Sequence, residues 1–208
     1  ILYIVLILIL TPYTILTYQR NKDWKDEFTL WQKTVKQMPN NFRAHNNLAM
    51  EYEKIEDFSY ALYHYNKALT LMPNLSWVYD DKEQVYARVY NNIGNIYMKQ
   101  GNFNLALQNY QKALELDPNY SQPYFNIGLV FRKLNNLELA IKYYKKAIEL
   151  NPYVADYYNN LGVVYVLKND FLEAISYYKK AIELATDENF KKNVEKNIEI
   201  AKEYLNNK

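Results

Sequence analysis

Four asparagines stand out by their spacing. Asn92, Asn126 and Asn160 lie 34 residues apart, and Asn47 precedes Asn92 by 45. A carboxamide offers one acceptor and two donors. A row of them on one surface can hold both the C=O and the N–H of an extended peptide, whatever its side chains. The competing reading is that each bonds only within its own helix. Asn91 and Asn95 continue the polar series. Further along, Phe125, Leu129, Val163 and Val166 form an apolar patch beside Arg132. An apolar patch with a polar rim is expected either to receive a partner or to be covered by the C-terminal segment.

Other chemistry is scarce. The chain has 0 Cys and 2 His among 208 residues. That excludes a disulfide framework, a thiolate zinc site and a Cys nucleophile, and His45 and His64 alone do not make a multi-histidine metal site. Both histidines read as packing or surface residues. No paired carboxylates or triad order stand out. Four Gly are too few for a phosphate loop beside ordinary turns. No catalytic residue, metal ligand or cofactor is therefore expected. The formal net charge of +2 argues against nucleic acid as a partner. Lys145-Lys146 and Lys179-Lys180 read as solvated faces, interleaved with Glu149 and Glu183. The 23 Tyr are the anomaly.

The elements that position these residues repeat. The phrases KALTLMP, KALELDP and KAIELNP end at Pro73, Pro118 and Pro152. Four units follow, at 42–75, 87–120, 121–154 and 155–188. Each carries Tyr or another large residue, then Gly or Ala, then Tyr, Ala, Tyr and Ala at fixed offsets. In 87–120 these are Tyr90, Gly94, Tyr97, Ala106, Tyr110 and Ala113, and in 121–154 Tyr124, Gly128, Phe131, Ala140, Tyr144 and Ala147. In 155–188 they are Tyr158, Gly162, Tyr165, Ala174, Tyr178 and Ala181, and in 42–75 His45, Ala49, Tyr52, Ala61, Tyr65 and Ala68. His45 departs from the pattern, as does Thr186 in the place of the closing Pro.

A 34-residue period with these residues resembles the tetratricopeptide repeat (TPR) family. The resemblance implies an all-α solenoid, a right-handed superhelix of helix pairs A and B. Its A helices would line a concave groove that holds protein or extended peptide. The asparagines, the apolar patch and Arg132 all fall on groove positions. The Asn series is similar to that of the superhelical TPR domain of the O-GlcNAc transferase. The family's carboxylate clamp is not matched: Arg43, Arg88 and Arg132 supply cations, but its Lys positions are missing. Small residues let helix A approach helix B, Pro ends helix B, and no unit can bury its apolar face alone. Ten of the Tyr fall on the repeat's aromatic positions, so a monomeric binding scaffold is expected.

Segments outside the repeats carry separate expectations. Residues 76–86 are an excess of 11 before the 87–120 unit, either a loop or an N-terminal extension of its helix A. Val78, Val85, Val89 and Ile93 keep helical spacing, which favours the extension. Residues 189–208 predict a capping helix, with Phe190, Val194, Ile198, Ala201 and Leu205 on one face. Residues 1–19 open with ILYIVLILIL and carry no charge before Arg20. They predict the end of a membrane-spanning helix, with Tyr13 and Tyr18 as interfacial anchors. Residues 20–41 then form a linker and half a repeat.

Arg20-Asn21, Trp24, Glu27, Leu30-Trp31 and Pro39-Asn40 after such a helix resemble the junction in TPR-containing membrane glycosyltransferases of the protein O-mannosyltransferase type. That resemblance implies a non-catalytic, substrate-binding C-terminal region on the extracytoplasmic or lumenal side. Arg20, Lys22 and Lys25 pull towards the cytoplasm by the positive-inside rule.

Overall fold

The computed structural model describes Thr11, residues 26–71 and residues 82–206. It divides into two compact units, Ile1–Asp80 and Asp81–Lys208. The expected membrane helix of residues 1–19 lies outside the described residues apart from Thr11. Among the described residues no helix is long and apolar enough to cross a membrane, and all regular structure is helical.

The first unit contains α1 (Glu27–Gln37), α2 (Phe42–Lys54) and α3 (Phe58–Leu71). Asp26 starts α1 by accepting the Thr29 N–H at 2.7 Å, and Asn41 starts α2 by accepting the Ala44 N–H at 3.0 Å. Each carboxyl or carboxamide oxygen satisfies a backbone donor that the first helical turn leaves open. Helix α2 packs against both α1 and α3. Phe28 meets Tyr52 edge-on with ring centroids 5.0 Å apart.

The second unit contains α4 (Lys82–Lys99), α5 (Phe103–Leu116), α6 (Ser121–Lys133), α7 (Leu137–Leu150), α8 (Ala155–Leu167), α9 (Phe171–Leu184) and α10 (Glu188–Asn206). Consecutive helices pack, and α4 also packs against α6. The A helices are thus α4, α6 and α8, paired with the B helices α5, α7 and α9. Residues 82–86 are the first five of α4, so helix A of that repeat does begin before residue 87; residues 76–81 lie outside the described residues.

The close approach of each pair is set by one small residue. A Cβ on Gly94, Gly128 or Gly162 would sit 2.6 Å from the ring of Tyr110, Tyr144 or Tyr178. Real carbon atoms do not come so near, and those rings are buried among neighbours. A second contact ties helix A to helix B by stacked rings. Tyr52 lies 5.5 Å from His64, Phe131 5.5 Å from Tyr143 and Tyr165 5.3 Å from Tyr177. In the repeat of α4 and α5 this position is Asn109, buried and donating to the Leu105 carbonyl at 2.8 Å.

Helix α10 closes the second unit on α9. Val194 and Ile198 are buried against Tyr158, Ala174, Tyr178 and Ala181, with Phe190 half-buried beside them, and Ala201 is buried on the same helix. Phe171 and Tyr204 stack at 5.6 Å where α9 begins and α10 ends.

Candidate functional site

The site is the A-helix face of the second unit, built where α4, α6 and α8 run in series. The asparagine series does not point uniformly outward there. Asn126 is 4% exposed and Asn91 2%. The Asn126 Nδ2 donates to Asn91 Oδ1 and to Asn95 Oδ1, both at 2.9 Å, and its Oδ1 accepts from Gln122 Nε2 at 3.2 Å. Asn95 Oδ1 also accepts the Tyr110 hydroxyl at 2.9 Å. The carboxamides of Asn91, Asn95 and Asn126 thus form a closed polar seam between α4 and α6. Asn160 donates to its own helix, to the Asp156 carbonyl at 2.9 Å. In the first unit Asn47 accepts from Asn46 at 3.2 Å. Asn92 is half-buried on α4.

Of the two readings of this spacing, Asn126 and Asn160 are bonded within the fold, whereas Asn92 is half-buried on α4. Asn126 is used to join helices, because α6 lies close enough to α4 for its carboxamide to reach back.

The apolar patch divides between the core and the C-terminal helix. Phe125 is 8% exposed and belongs to the core. Its ring stacks on Tyr157 at 4.8 Å and meets Tyr144 at 5.4 Å. The same position in α4 is Asn91, which meets Asn126. This position faces the next A helix, and a ring placed there is covered by it. Leu129 is half-buried against that cluster. Val163 and Val166 are half-buried in the cluster that includes Val194 and Ile198 of α10. The Asn197 Nδ2 donates to Asn159 Oδ1 at 3.3 Å, which holds α10 against α8 as well. The C-terminal helix therefore covers part of what reads in sequence as an open patch.

Arg132 is a charged residue of this face, half-buried near the C-terminal end of α6. Its Nε is sealed from solvent without a hydrogen-bond partner, and so is the hydroxyl of the fully buried Tyr144. Burial pushes the Tyr144 hydroxyl up to about 12 against the opposing charge of Arg132. Tyr178 is likewise pushed up to about 12 by burial, again with Arg132 opposing. The guanidinium is thus close to both phenols. The repeat pattern gives Tyr144 a place in the core, and its hydroxyl's environment depends on which residue the preceding A helix happens to supply.

The two histidines are buried together in the first unit, 3% and 7% exposed. His45 Nδ1 lies 2.9 Å from His64 Nδ1, and His45 Nε2 lies 3.0 Å from the Pro39 carbonyl. A carbonyl only accepts, so His45 carries its proton on Nε2, and His64 donates from Nδ1. Burial lowers His64 to about 4, helped by the charge of His45. Burial also lowers His45, against the Pro39 hydrogen bond. Among the described residues no group of three or more His, Asp or Glu side chains could hold a metal ion.

The tetratricopeptide repeat profile matches residues 42–75, 87–120, 121–153 and 155–187. Among solved structures, a crystal structure of MamA is 25% identical over 81% of this chain and 92% of its own, with a TM-score of 0.62. A MamA from Desulfovibrio magneticus RS-1 is 22% identical over 76% and 82%, with a TM-score of 0.60. Pseudomonas aeruginosa PilF is 21% identical over 90% and 83%, with a TM-score of 0.64. Comparison with curated proteins gave no match.

Proposed function

The chain belongs to the tetratricopeptide repeat family, and from that premise we propose that the A-helix face of residues 82–184 captures protein segments in extended form. The observation that carries this reading is a run of half-exposed side chains on successive A helices, outside the closed seam. They are Asn92 on α4, Leu129 and Arg132 on α6, and Asn160 and Val163 on α8. They combine apolar area with separated polar groups, the mixture that a peptide backbone and its side chains need. The chain itself acts as a scaffold and performs no chemistry.

The test is selection of random ten-residue peptides on the 208-residue chain, followed by affinity measurement. Arg substituted for Asn92 and Asn160 should cut the affinity of selected peptides at least about ten-fold by filling the face. Gln111→Arg on the B helix α5 should leave it unchanged. Loss caused only by the B-helix variant would overturn the reading.

The uncharged run before Arg20 supports attachment to a membrane, and the junction residues Trp24, Leu30-Trp31 and Pro39-Asn40 support a glycosyltransferase context with extracytoplasmic repeats. Protease added to intact cells should then cleave between the repeats, and cleavage only after cell lysis would reverse the topology. The covered end at α10 supports a monomeric array, which light scattering tests.

A further inference from the structure

Arg132 is a half-buried cation with no ion-pair partner among the described residues. The same place in successive repeats makes this clear. In the first unit the Tyr65 hydroxyl donates to the Glu53 carboxylate at 3.3 Å. In the repeat of α4 and α5 the Tyr110 hydroxyl donates to Asn95 at 2.9 Å and lies 3.7 Å from the Met98 sulfur. Glu53, Met98 and Arg132 occupy the same repeat position, as do Asn95 and Leu129. In the repeat of α6 and α7 the acceptor at the Asn95 position is therefore an apolar Leu129, and the Glu53 position holds Arg132, which brings only donors. The result is a buried hydroxyl and a buried guanidinium Nε, both without a partner.

An orphaned donor of this kind is destabilising, and more so when charged. Among the described residues no carboxylate forms an ion pair with Arg132, although exposed lysines nearby in sequence do find Glu partners at 2.6 to 3.1 Å. The guanidinium only donates, and the phenol beside it has a proton of its own to place next to that positive charge. A carboxylate is the one common peptide group that is acceptor-only, negative and shaped to take two donors from a guanidinium.

We infer that Arg132, with the Tyr144 hydroxyl behind it, is the receptor for an acidic side chain, Asp or Glu, of a peptide running along the A-helix face. The site sits on the middle of three consecutive A helices. A peptide passing along the face presents a side chain there, whereas a chain terminus would leave α4 or α8 unfilled. This deepens the proposed peptide-capture function and rests on it.

The experiment uses the same peptide selection on the 208-residue chain, with peptides blocked at both ends. Selected peptides should be enriched in Asp or Glu at one position. Replacing that residue by Gln should weaken binding about 10- to 100-fold, the range of a charge-assisted hydrogen bond. With Arg132→Met the Glu and Gln peptides should bind alike. Tyr144→Phe keeps the ring and removes the orphaned hydroxyl. It should reduce the Glu-over-Gln preference several-fold without lowering the melting temperature.

The Glu-against-Gln comparison on the unaltered chain needs no variant, so it stands even if a variant misfolds. Equal binding of the two peptides there, or a preference that survives Arg132→Met, would overturn the inference while leaving peptide capture intact. Binding that requires a free C-terminal carboxylate would overturn the side-chain assignment. Failure to select any peptide overturns the capture function itself, and this inference with it.

Discussion

In the repeat of α2 and α3 the fourth position is His45, whose Nδ1 meets His64 Nδ1 at 2.9 Å. In the repeat of α6 and α7 the same two positions are Tyr124 and Tyr143, whose rings lie 6.4 Å apart. One repeat joins its helices with an oriented hydrogen bond that depends on two neutral imidazoles. The other joins them with a pair of stacked rings. The small position differs as well, Ala49 in the first repeat and Gly128 in the other. Two repeats of one frame have thus solved the same packing problem with different chemistry, and they should fail under different insults.

The largest effect belongs to the second unit, whose last repeat depends on α10. Deleting residues 187–208 uncovers the face on which Val194 and Ile198 are buried. Burying a Val or Ile side chain is worth about 1.5–3 kcal/mol. The truncated chain should therefore lose about 4 kcal/mol or more around α8 and α9. Segment-resolved hydrogen exchange checks this, and unchanged protection in α9 would show that α10 is not a cap.

Acid should act on the first repeat instead. Both histidines have folded-state values below the usual 6.5, His64 at about 4. The folded state therefore binds fewer protons, and stability is complete above about pH 6.5. It falls as the pH drops from there towards 4, by about 1.4 kcal/mol per pH unit for one such group. The loss should reach about 2 kcal/mol at pH 5. Urea denaturation at pH 7, 6 and 5 measures it. The double substitution His45→Tyr and His64→Tyr, which copies Tyr124 and Tyr143, should flatten the curve over that range. A slope that persists would place the acid sensitivity elsewhere.

Exchange of the small residue should hurt both repeats, in opposite directions. Gly128→Ala puts a methyl 2.6 Å from the Tyr144 ring. Overpacking should outweigh the better helix propensity and cost about 1–2 kcal/mol net. Ala49→Gly has no clash to relieve, since Tyr65 is already packed and bonded to Glu53. It should cost about 1 kcal/mol through lost helix propensity. Thermal melting of the two variants distinguishes the mechanisms, and a stabilised Gly128→Ala would show that the ring can give way.

These contrasts also mark what was legible in the sequence. The 34-residue period, the Gly and Ala positions and the helix pairs could be read directly, because each is a local steric demand repeated at one offset. The roles of individual groove residues could not. Asn126 and Asn160 share an offset, yet one bonds across to α4 and the other within α8. What separates them is the neighbouring helix, which supplies acceptors at Asn91 and Asn95 in one case and not in the other. Phe125 fell on a nominally open position and is covered by Tyr157. The Arg132–Tyr144 site carried no motif. It becomes visible only when Tyr65, Tyr110 and Tyr144 are compared for what their hydroxyls meet. Tyr143 and Tyr177 also lay outside the recognised aromatic positions, although their stacking on Phe131 and Tyr165 accounts for more of the Tyr excess.

The smallest expected effect comes from the turn inside each repeat, where the two units share a backbone and differ in residue. Glu56, Gly101, Asn135 and Asn169 occupy the same position, with φ of 60°, 76°, 57° and 61°. Each donates its N–H to the residue three before it, at 3.1, 3.1, 3.0 and 2.9 Å. The following residue donates to the carbonyl five before it, at 2.9, 2.8, 2.8 and 2.9 Å. This paired closure of a helix C-terminus requires a left-handed residue at its centre. Gly adopts that conformation freely and Asn with little cost, whereas Glu is driven into it by its Cβ. Glu56→Gly should therefore stabilise the first unit by about 0.5–1 kcal/mol, the strain relieved being partly offset by the freer unfolded chain. Gly101→Glu should destabilise the second unit by a similar amount. Urea midpoints of the two variants measure both. If Glu56→Gly proves neutral or destabilising, the left-handed turn is not strained in the first repeat, and its contrast with the later ones rests on the histidine pair and Ala49 alone.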